Sequence, residues 1–437
     1  LRRFAIRVFG CQMNVYDGDR LRTAMIHRGW EECSDDNADV VVLVTCSIRE
    51  KAEQKVTSEI GRYDLRFRNT GSPTVVLVGC MAQRIGDTMA KKFPCVKLVS
   101  GPRHLGLVPQ GIEEAANDGI ARFFMDDDPR ALQDLDVIPT ERLNRYKAYV
   151  TITYGCDRFC SYCIVPYVRG RLQSRRHEDI IQEVRALVST GVTEITLLGQ
   201  NVDAYGKDKK DGYRFSSLLK DVSEIEGITR LRFATSHPKD FDEDILDVML
   251  NTPIICRAIN LPVQSGNDRI LDEMNRGYNA GDYMALASKI RSVLPDVTLT
   301  TDLIVGFPGE TEKEFRDSYN LLKEVRFDIV HTAAYSPREG TRAAVMDGQI
   351  DNRTKARRLN EINDMQSKLA REINEEYVGR TLRILVDGPA PRGDGLFQGR
   401  TMSDKVVIIE GTENDLGKML NVKITKASHW SLEGERI

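Results

Sequence analysis

No stretch of the 437 residues approaches the roughly 18 consecutive apolar residues that a membrane span requires. The opening LRRFAIRVFGC lacks a secretory hydrophobic core, so no membrane association and a cytoplasmic location are expected. Excess charge is also missing. The formal net charge is only -3, which argues against a globally basic nucleic-acid binder. Histidine is sparse, with six scattered residues, and none is assigned to catalysis. Cysteine is odd in number at nine, which does not suit a disulfide framework; its clustering points to metal. What remains is the composition of a globular protein, 41% hydrophobic and 29% charged, long enough for two or three domains.

The first segment alternates strands and helices. FAIRVFGC (4–11), VVLVTC (41–46) and TVVLVGC (74–80) are continuous apolar runs of the kind buried on both faces of a parallel sheet, with helices expected near 17–28 and 48–66. Each run ends in a cysteine. Ligands of open parallel sheets bind outside the carboxyl ends of the strands, so Cys11, Cys46 and Cys80 should meet at one edge although they are far apart in sequence. Cys33, Cys95 and Cys256 show no such pattern and read as structural.

An acidic, proline-containing patch, MDDDPRALQDLDVIPTERLN (125–144), reads as a linker. Beyond it, strands are expected at 147–153, 193–199, 230–236, 258–263, 298–306 and 328–336, with helices between them. That pattern predicts a six-unit partial (β/α) barrel with its chemistry at the carboxyl ends of the strands. Leu359, Ile362, Met365, Leu369 and Ile373 mark a closing amphipathic helix. From about Val378, TLRILVDG, LFQGRT, KVVIIEG and MLNVKITKA predict a small β-barrel with nine basic and eight acidic residues. The fold class is therefore α/β: an open parallel sheet domain (1–125), a linker (126–145), a partial barrel (146–376) and a β-barrel (377–437).

Just after the first barrel strand stands GCDRFCSYCIVP (155–166), with Cys156, Cys160 and Cys163 spaced C-x3-C-x2-C. Closed zinc sites take four ligands, and a 4Fe-4S cluster has four irons to cap. Three local cysteines thus leave one iron open to a small molecule, or else imply a zinc site with a distant fourth ligand. Around this loop, Arg145, Lys147, Arg158, Arg169, Arg171, Arg175 and Arg176 face only Asp157, a local +6 that favours an anionic ligand or RNA, with a solvated basic surface as the plain alternative.

The spacing, with Tyr162 before the last cysteine, resembles the radical S-adenosylmethionine superfamily. The resemblance implies that the amino and carboxylate groups of S-adenosylmethionine chelate the open iron, and that one electron cleaves it to methionine and a 5'-deoxyadenosyl radical. Together with the three amino-terminal cysteines, PYVRGRLQSR, LPVQSGNDRILDEMNRGY, TDLIVGFPGET and the carboxy-terminal barrel, the chain resembles the methylthiotransferases along almost its whole length. This implies a second, auxiliary 4Fe-4S cluster on Cys11, Cys46 and Cys80 that carries the sulfur to be inserted, and a TRAM domain, used by relatives for RNA or, in one branch, for a ribosomal protein.

By the same resemblance, Gly199, Gln200, Ser236 and Gln264 are expected at S-adenosylmethionine, with Arg175 or Arg169 near its carboxylate and Tyr162 beside the cluster. The quartet GQNV (199–202) resembles the branch acting on transfer RNA bearing N(6)-isopentenyladenosine. One S-adenosylmethionine would methylate the sulfur and a second would supply the radical that takes hydrogen from carbon two of the adenine. Rival targets are threonylcarbamoyl-adenosine in transfer RNA and an aspartate of a ribosomal protein. A non-enzymatic rival is an iron–sulfur electron carrier or RNA-binding module. Expected partners are transfer RNA and an electron donor such as flavodoxin or ferredoxin, with the enzyme a monomer.

Overall fold

The computed structural model describes residues 2–47, 50–125 and 132–437. The chain divides into two compact units. One comprises residues 1–157, 164–191 and 198–200; the other comprises 158–163, 192–197 and 201–437.

In the first unit, continuous valine-rich runs become strands because their branched side chains suit a pleated surface covered on both sides. Arg3–Val8, Val40–Thr45 and Thr74–Gly79 are neighbouring parallel strands. Three further strands complete a six-stranded parallel sheet: Glu31–Glu32 at one edge, then Val96–Ser100 and Arg122–Phe124 at the other. These three were missed in the sequence. Two are too short to show a period, and all take their place from their neighbours.

Alternation splits the core by face. Val41, Leu43, Val75 and Leu77 pack on one side, and Val40, Val42, Val44, Val76 and Val78 on the other. The helix expected at 17–28 begins earlier, as Gln12–His27, and the next runs Glu50–Thr70; the expected start of the latter at 48–49 lies outside the described residues. Part of the expected linker, 126–131, also lies outside them. Its remainder is anchored: Asp134 accepts from Arg20 Nη1 (2.8 Å) and from the Tyr154 hydroxyl (2.5 Å), and Leu135 joins the core. Strand Lys147–Thr151 groups with this unit, as does the short antiparallel pair Thr153–Tyr154 and Gln173–Ser174.

The second unit carries strand Glu194–Leu198 except for Leu198, and strands Arg230–Ala234, Ala258–Asn260, Thr298–Val305 and Ile329–Ala334. The last three pair in parallel in chain order, as a partial barrel requires. Helix Asn352–Glu375 buries Ile362, Met365 and Leu369 of the expected stripe. After it, Thr381–Pro389, Leu396–Thr401, Val406–Glu410, Leu432–Arg436 and Met419–Ala427 close a five-stranded barrel over Ile384, Val386, Val407, Ile409, Val422 and Ile424. No helix among the described residues is long and apolar enough to cross a membrane.

Arg230 ties the small barrel to the strands before it. Its side chain is wholly buried, lies 2.7 Å from Glu194 and donates to the carbonyls of Arg400 (2.6 Å) and Thr401 (2.7 Å). Removing one member of a buried pair leaves an unpaired charge, so Arg230→Ala should cost about 3–5 kcal/mol. Denaturant titration would show this as a lowered midpoint.

Candidate metal centres

The amino-terminal cysteines meet because of strand register. Val8 stands opposite Val44, and Thr45 opposite Gly79, so three adjacent strands end level and release Cys11, Cys46 and Cys80 at one edge. Two glycines make the approach possible. Gly10 (φ +116°) has room for no Cβ, which would fall 2.3 Å from the Cys46 Cβ; at Gly79 (φ +105°) it would fall 2.5 Å from the Thr45 carbonyl oxygen. Gly79→Ala should therefore destabilise the chain by at least about 1 kcal/mol and displace Cys80 from Cys46. The check is a thermal melt together with iron content after reconstitution.

Cys11 caps helix Gln12–His27, and Cys80 opens helix Cys80–Lys92, so both sulfurs lie at the positive ends of helix dipoles. A hydrogen bond from Cys46 holds the Cys11 thiol down at about 5, helped by the Arg169 charge and opposed by burial. Burial pushes the Cys80 thiol up, with Arg169 acting against it.

Arg169 is itself 5% exposed. Its Nε donates to Cys80 Sγ (3.2 Å), its Nη2 donates to Asn14 Oδ1 (3.1 Å), and Asp17 lies 3.6 Å away. Burial alone would favour the neutral guanidine, but Cys80, Asp17 and Cys11 hold it charged. Asn14 completes the frame by donating to the Phe9 carbonyl (2.7 Å) and facing the Cys11 sulfur (3.8 Å). Three cysteines outside any disulfide, together with a buried cation, form a donor set suited to an anionic iron–sulfur cluster. Among the described residues, no three cysteine, histidine or carboxylate groups converge as they would on a single ion. A cuboidal cluster takes each thiolate at a separate iron, so its ligands stand apart.

Cys156 belongs to the same unit. Its N–H donates to the Gly170 carbonyl (3.1 Å) at the mouth of the short antiparallel pair. Arg175, expected near S-adenosylmethionine, pairs with Glu183 (2.7 Å) and donates to the Thr151 carbonyl (2.7 Å) and the Tyr16 hydroxyl (3.2 Å). Gly199 and Gln200 follow strand Glu194–Leu198; the Gln200 amide nitrogen contacts Met13 Sδ, and its buried Oε1 has no hydrogen-bond partner among the described residues.

In the second unit, Cys163 N–H donates to the Cys160 carbonyl (2.9 Å), which places the two thiols on one tight turn. Ser161 fixes this turn: its N–H donates to the Met274 carbonyl (3.0 Å), its hydroxyl to the Glu273 carbonyl (2.7 Å), and its own carbonyl accepts from Ala343 N–H (2.8 Å). Glu273 and Met274 lie in the LDEMNRGY stretch. Tyr162 packs with Ile270, Met274 and Phe307. Ser236 donates to Asp203 Oδ1 (3.2 Å), and Gln264 exchanges backbone hydrogen bonds with the strand Thr298–Val305, donating to the Asp302 carbonyl (2.9 Å).

Phe159, Thr235, Gln264 and Asn275 all have positive φ without being glycine. Such backbone is costly and concentrates at functional sites; here each lies in the cysteine loop, at a strand end, or beside the loop's anchor.

Several groups here were not found from sequence. Asp203 is buried, accepts from His237 N–H (3.0 Å) and is pushed up to about 7 by burial. Asp240 accepts from Asn201 Nδ2 (2.7 Å) and Lys207 Nζ (2.7 Å) and pairs with Arg158. The open basic face expected around the loop is corrected on this point. Arg158, Arg169 and Arg175 are committed to Asp240, to Cys80 with Asp17, and to Glu183, because guanidinium groups drawn inward must find anions.

The family model described as Radical SAM superfamily matches residues 150–322, which include the cysteine turn. The TRAM domain model matches 375–437, and the model described as Uncharacterized protein family UPF0004 matches 3–101.

The chain belongs to the tRNA-2-methylthio-N(6)-dimethylallyladenosine synthase family of radical methylthiotransferases. It is 40% identical to the proteins of that name from Moorella thermoacetica (100% of this chain, 98% of that one) and Clostridium novyi (100% and 97%), and likewise to that of Acetivibrio thermocellus (99% and 90%). Such enzymes work with 4Fe-4S clusters and S-adenosylmethionine. Among solved structures, the radical methyltransferase TsrM of Kitasatospora setae with cobalamin and a [4Fe-4S] cluster bound shares the fold, at TM-score 0.55 and 13% identity over 91% of this chain and 81% of that one.

Proposed function

We propose that this enzyme converts N(6)-isopentenyladenosine (dimethylallyladenosine) in transfer RNA to its 2-methylthio derivative. Cys156, Cys160 and Cys163 hold one 4Fe-4S cluster, and Cys11, Cys46 and Cys80 hold the other. The observation that carries the reading is the register that brings three strand-end cysteines to one edge in a chain that also contains the C-x3-C-x2-C loop. When bound, these groups supply a radical able to take hydrogen from an unactivated aromatic carbon, and the sulfur that replaces it.

The protein's own part is to hold and orient. Arg169 and Asn14 fix Cys80 and Cys11, and Ser161 fixes the Cys160–Cys163 turn. Gly199, Gln200, Ser236 and Gln264 stand at strand ends, where they serve S-adenosylmethionine. The carboxy-terminal barrel binds the RNA. A flavodoxin or ferredoxin supplies electrons, and the enzyme works in the cytoplasm as a monomer.

Complementation tests the substrate. In a bacterium that makes isopentenyladenosine but lacks its own methylthiotransferase, expression of this chain should restore the 2-methylthio nucleoside in transfer RNA. Modification of threonylcarbamoyl-adenosine or of a ribosomal aspartate instead would transfer the assignment to those targets.

A further inference from the structure

Arg276 is 4% exposed in the second unit, and its surroundings differ from those of the other buried arginines with described ion pairs. Arg20, Arg22, Arg169, Arg230 and Arg358 each have a carboxylate within 4 Å. Among the described residues, Arg276 has none. Its Nη2 donates to the Pro262 carbonyl (2.7 Å), and its Nε to the Tyr278 hydroxyl (3.0 Å). Its Nη1 lies 3.4 Å from both the Tyr162 hydroxyl and Cys160 Sγ. Tyr278 in turn donates to the Val263 carbonyl (2.8 Å), which leaves its oxygen lone pairs for the guanidinium. Carbonyls and hydroxyls satisfy the N–H groups but do not neutralise the charge. A buried cation needs an anion, and among these partners Cys160 Sγ supplies one when it ligates iron.

We propose that Arg276 is a positioning residue that directs an N–H toward the Cys160 thiolate and raises the reduction potential of the iron–sulfur centre held there. This rests on the assignment of Cys160 as a ligand. Hydrogen bonds and positive charge at cluster sulfur favour the reduced, more negative state. Pro262, Tyr278 and Tyr162 aim the guanidinium rather than touch the reacting atoms.

The test uses the full chain with Cys11, Cys46 and Cys80 replaced by Ala, so that only one centre remains, and reads its midpoint potential by electron-paramagnetic-resonance redox titration. Arg276→Gln should bind iron to the same level and shift the potential to a more negative value. Arg276→Lys, which keeps the charge without the planar fork, should shift it less in the same direction and carries the test if the Gln variant fails to fold. An unchanged potential in a loaded Gln variant, or in the Lys variant where Gln does not fold, would overturn the proposal. Cys160→Ala in the same background separates the two readings: retention of the centre would remove the ligand assignment, whereas its loss together with an unmoved potential in the arginine variants would remove only the role of Arg276.

Discussion

Replacing Cys156, Cys160 and Cys163 with Ala is expected to reduce the reductive cleavage of S-adenosylmethionine to background while about half of the bound iron remains. The three residues are the only cysteines of the barrel region's loop, and the turn that carries Cys160 and Cys163 is held by hydrogen bonds of the Ser161 backbone and hydroxyl that do not involve the thiols. Thiol removal should therefore leave the turn in place, although Arg276 loses its contact with Cys160 Sγ and the thermal midpoint of the apoprotein should fall. Methionine and 5'-deoxyadenosine measured by chromatography after anaerobic incubation with reductant report the loss. Continued cleavage by the triple variant would remove the loop from the chemistry.

The complementary variant, with Cys11, Cys46 and Cys80 changed to Ala, should also lose about half of the iron but keep S-adenosylmethionine cleavage. Product formation should vanish, because the sulfur source has gone while the radical source remains. The structural reason to expect clean separation is that these three thiols sit on strand ends of the first unit, framed by Gly10, Gly79, Asn14 and Arg169 from that same unit. Arg169 keeps Asp17 as its counter-charge at 3.6 Å once Cys80 is gone, so the variant should fold. Iron content unchanged from the wild type would defeat the two-centre account.

Local patterning explains which parts were legible in the sequence. The runs VVLVTC and TVVLVGC declared both their strand character and the common edge of their cysteines, because a parallel sheet buried on both faces demands continuous apolar residues. The stripe Ile362, Met365 and Leu369 declared the closing helix in the same way. Charged residues drawn inward were not legible, since their partners are remote in sequence. Arg158 meets Asp240 82 residues on, and Arg169 meets Cys80 89 residues back. Counting charges along Arg145–Arg176 therefore gave a basic surface where the fold has made three buried or half-buried pairs. Helix Gln12–His27 shows the same limit: Asp17, Asp19, Arg20 and Arg22 are all buried, so its polar residues do not mark a solvent face. Arg276 stood within a motif already singled out, but nothing local marked it as lacking a carboxylate.

The central claim is that this chain places a methylthio group on carbon two of isopentenyladenosine in transfer RNA. Nucleoside mass spectrometry tests it most directly, on transfer RNA carrying that base after anaerobic incubation with reconstituted enzyme, reductant and S-adenosylmethionine. The 2-methylthio nucleoside should appear with the wild-type chain and be absent with either cysteine triple variant. Cleavage of S-adenosylmethionine by the wild type with the nucleoside left unmodified would contradict the claim.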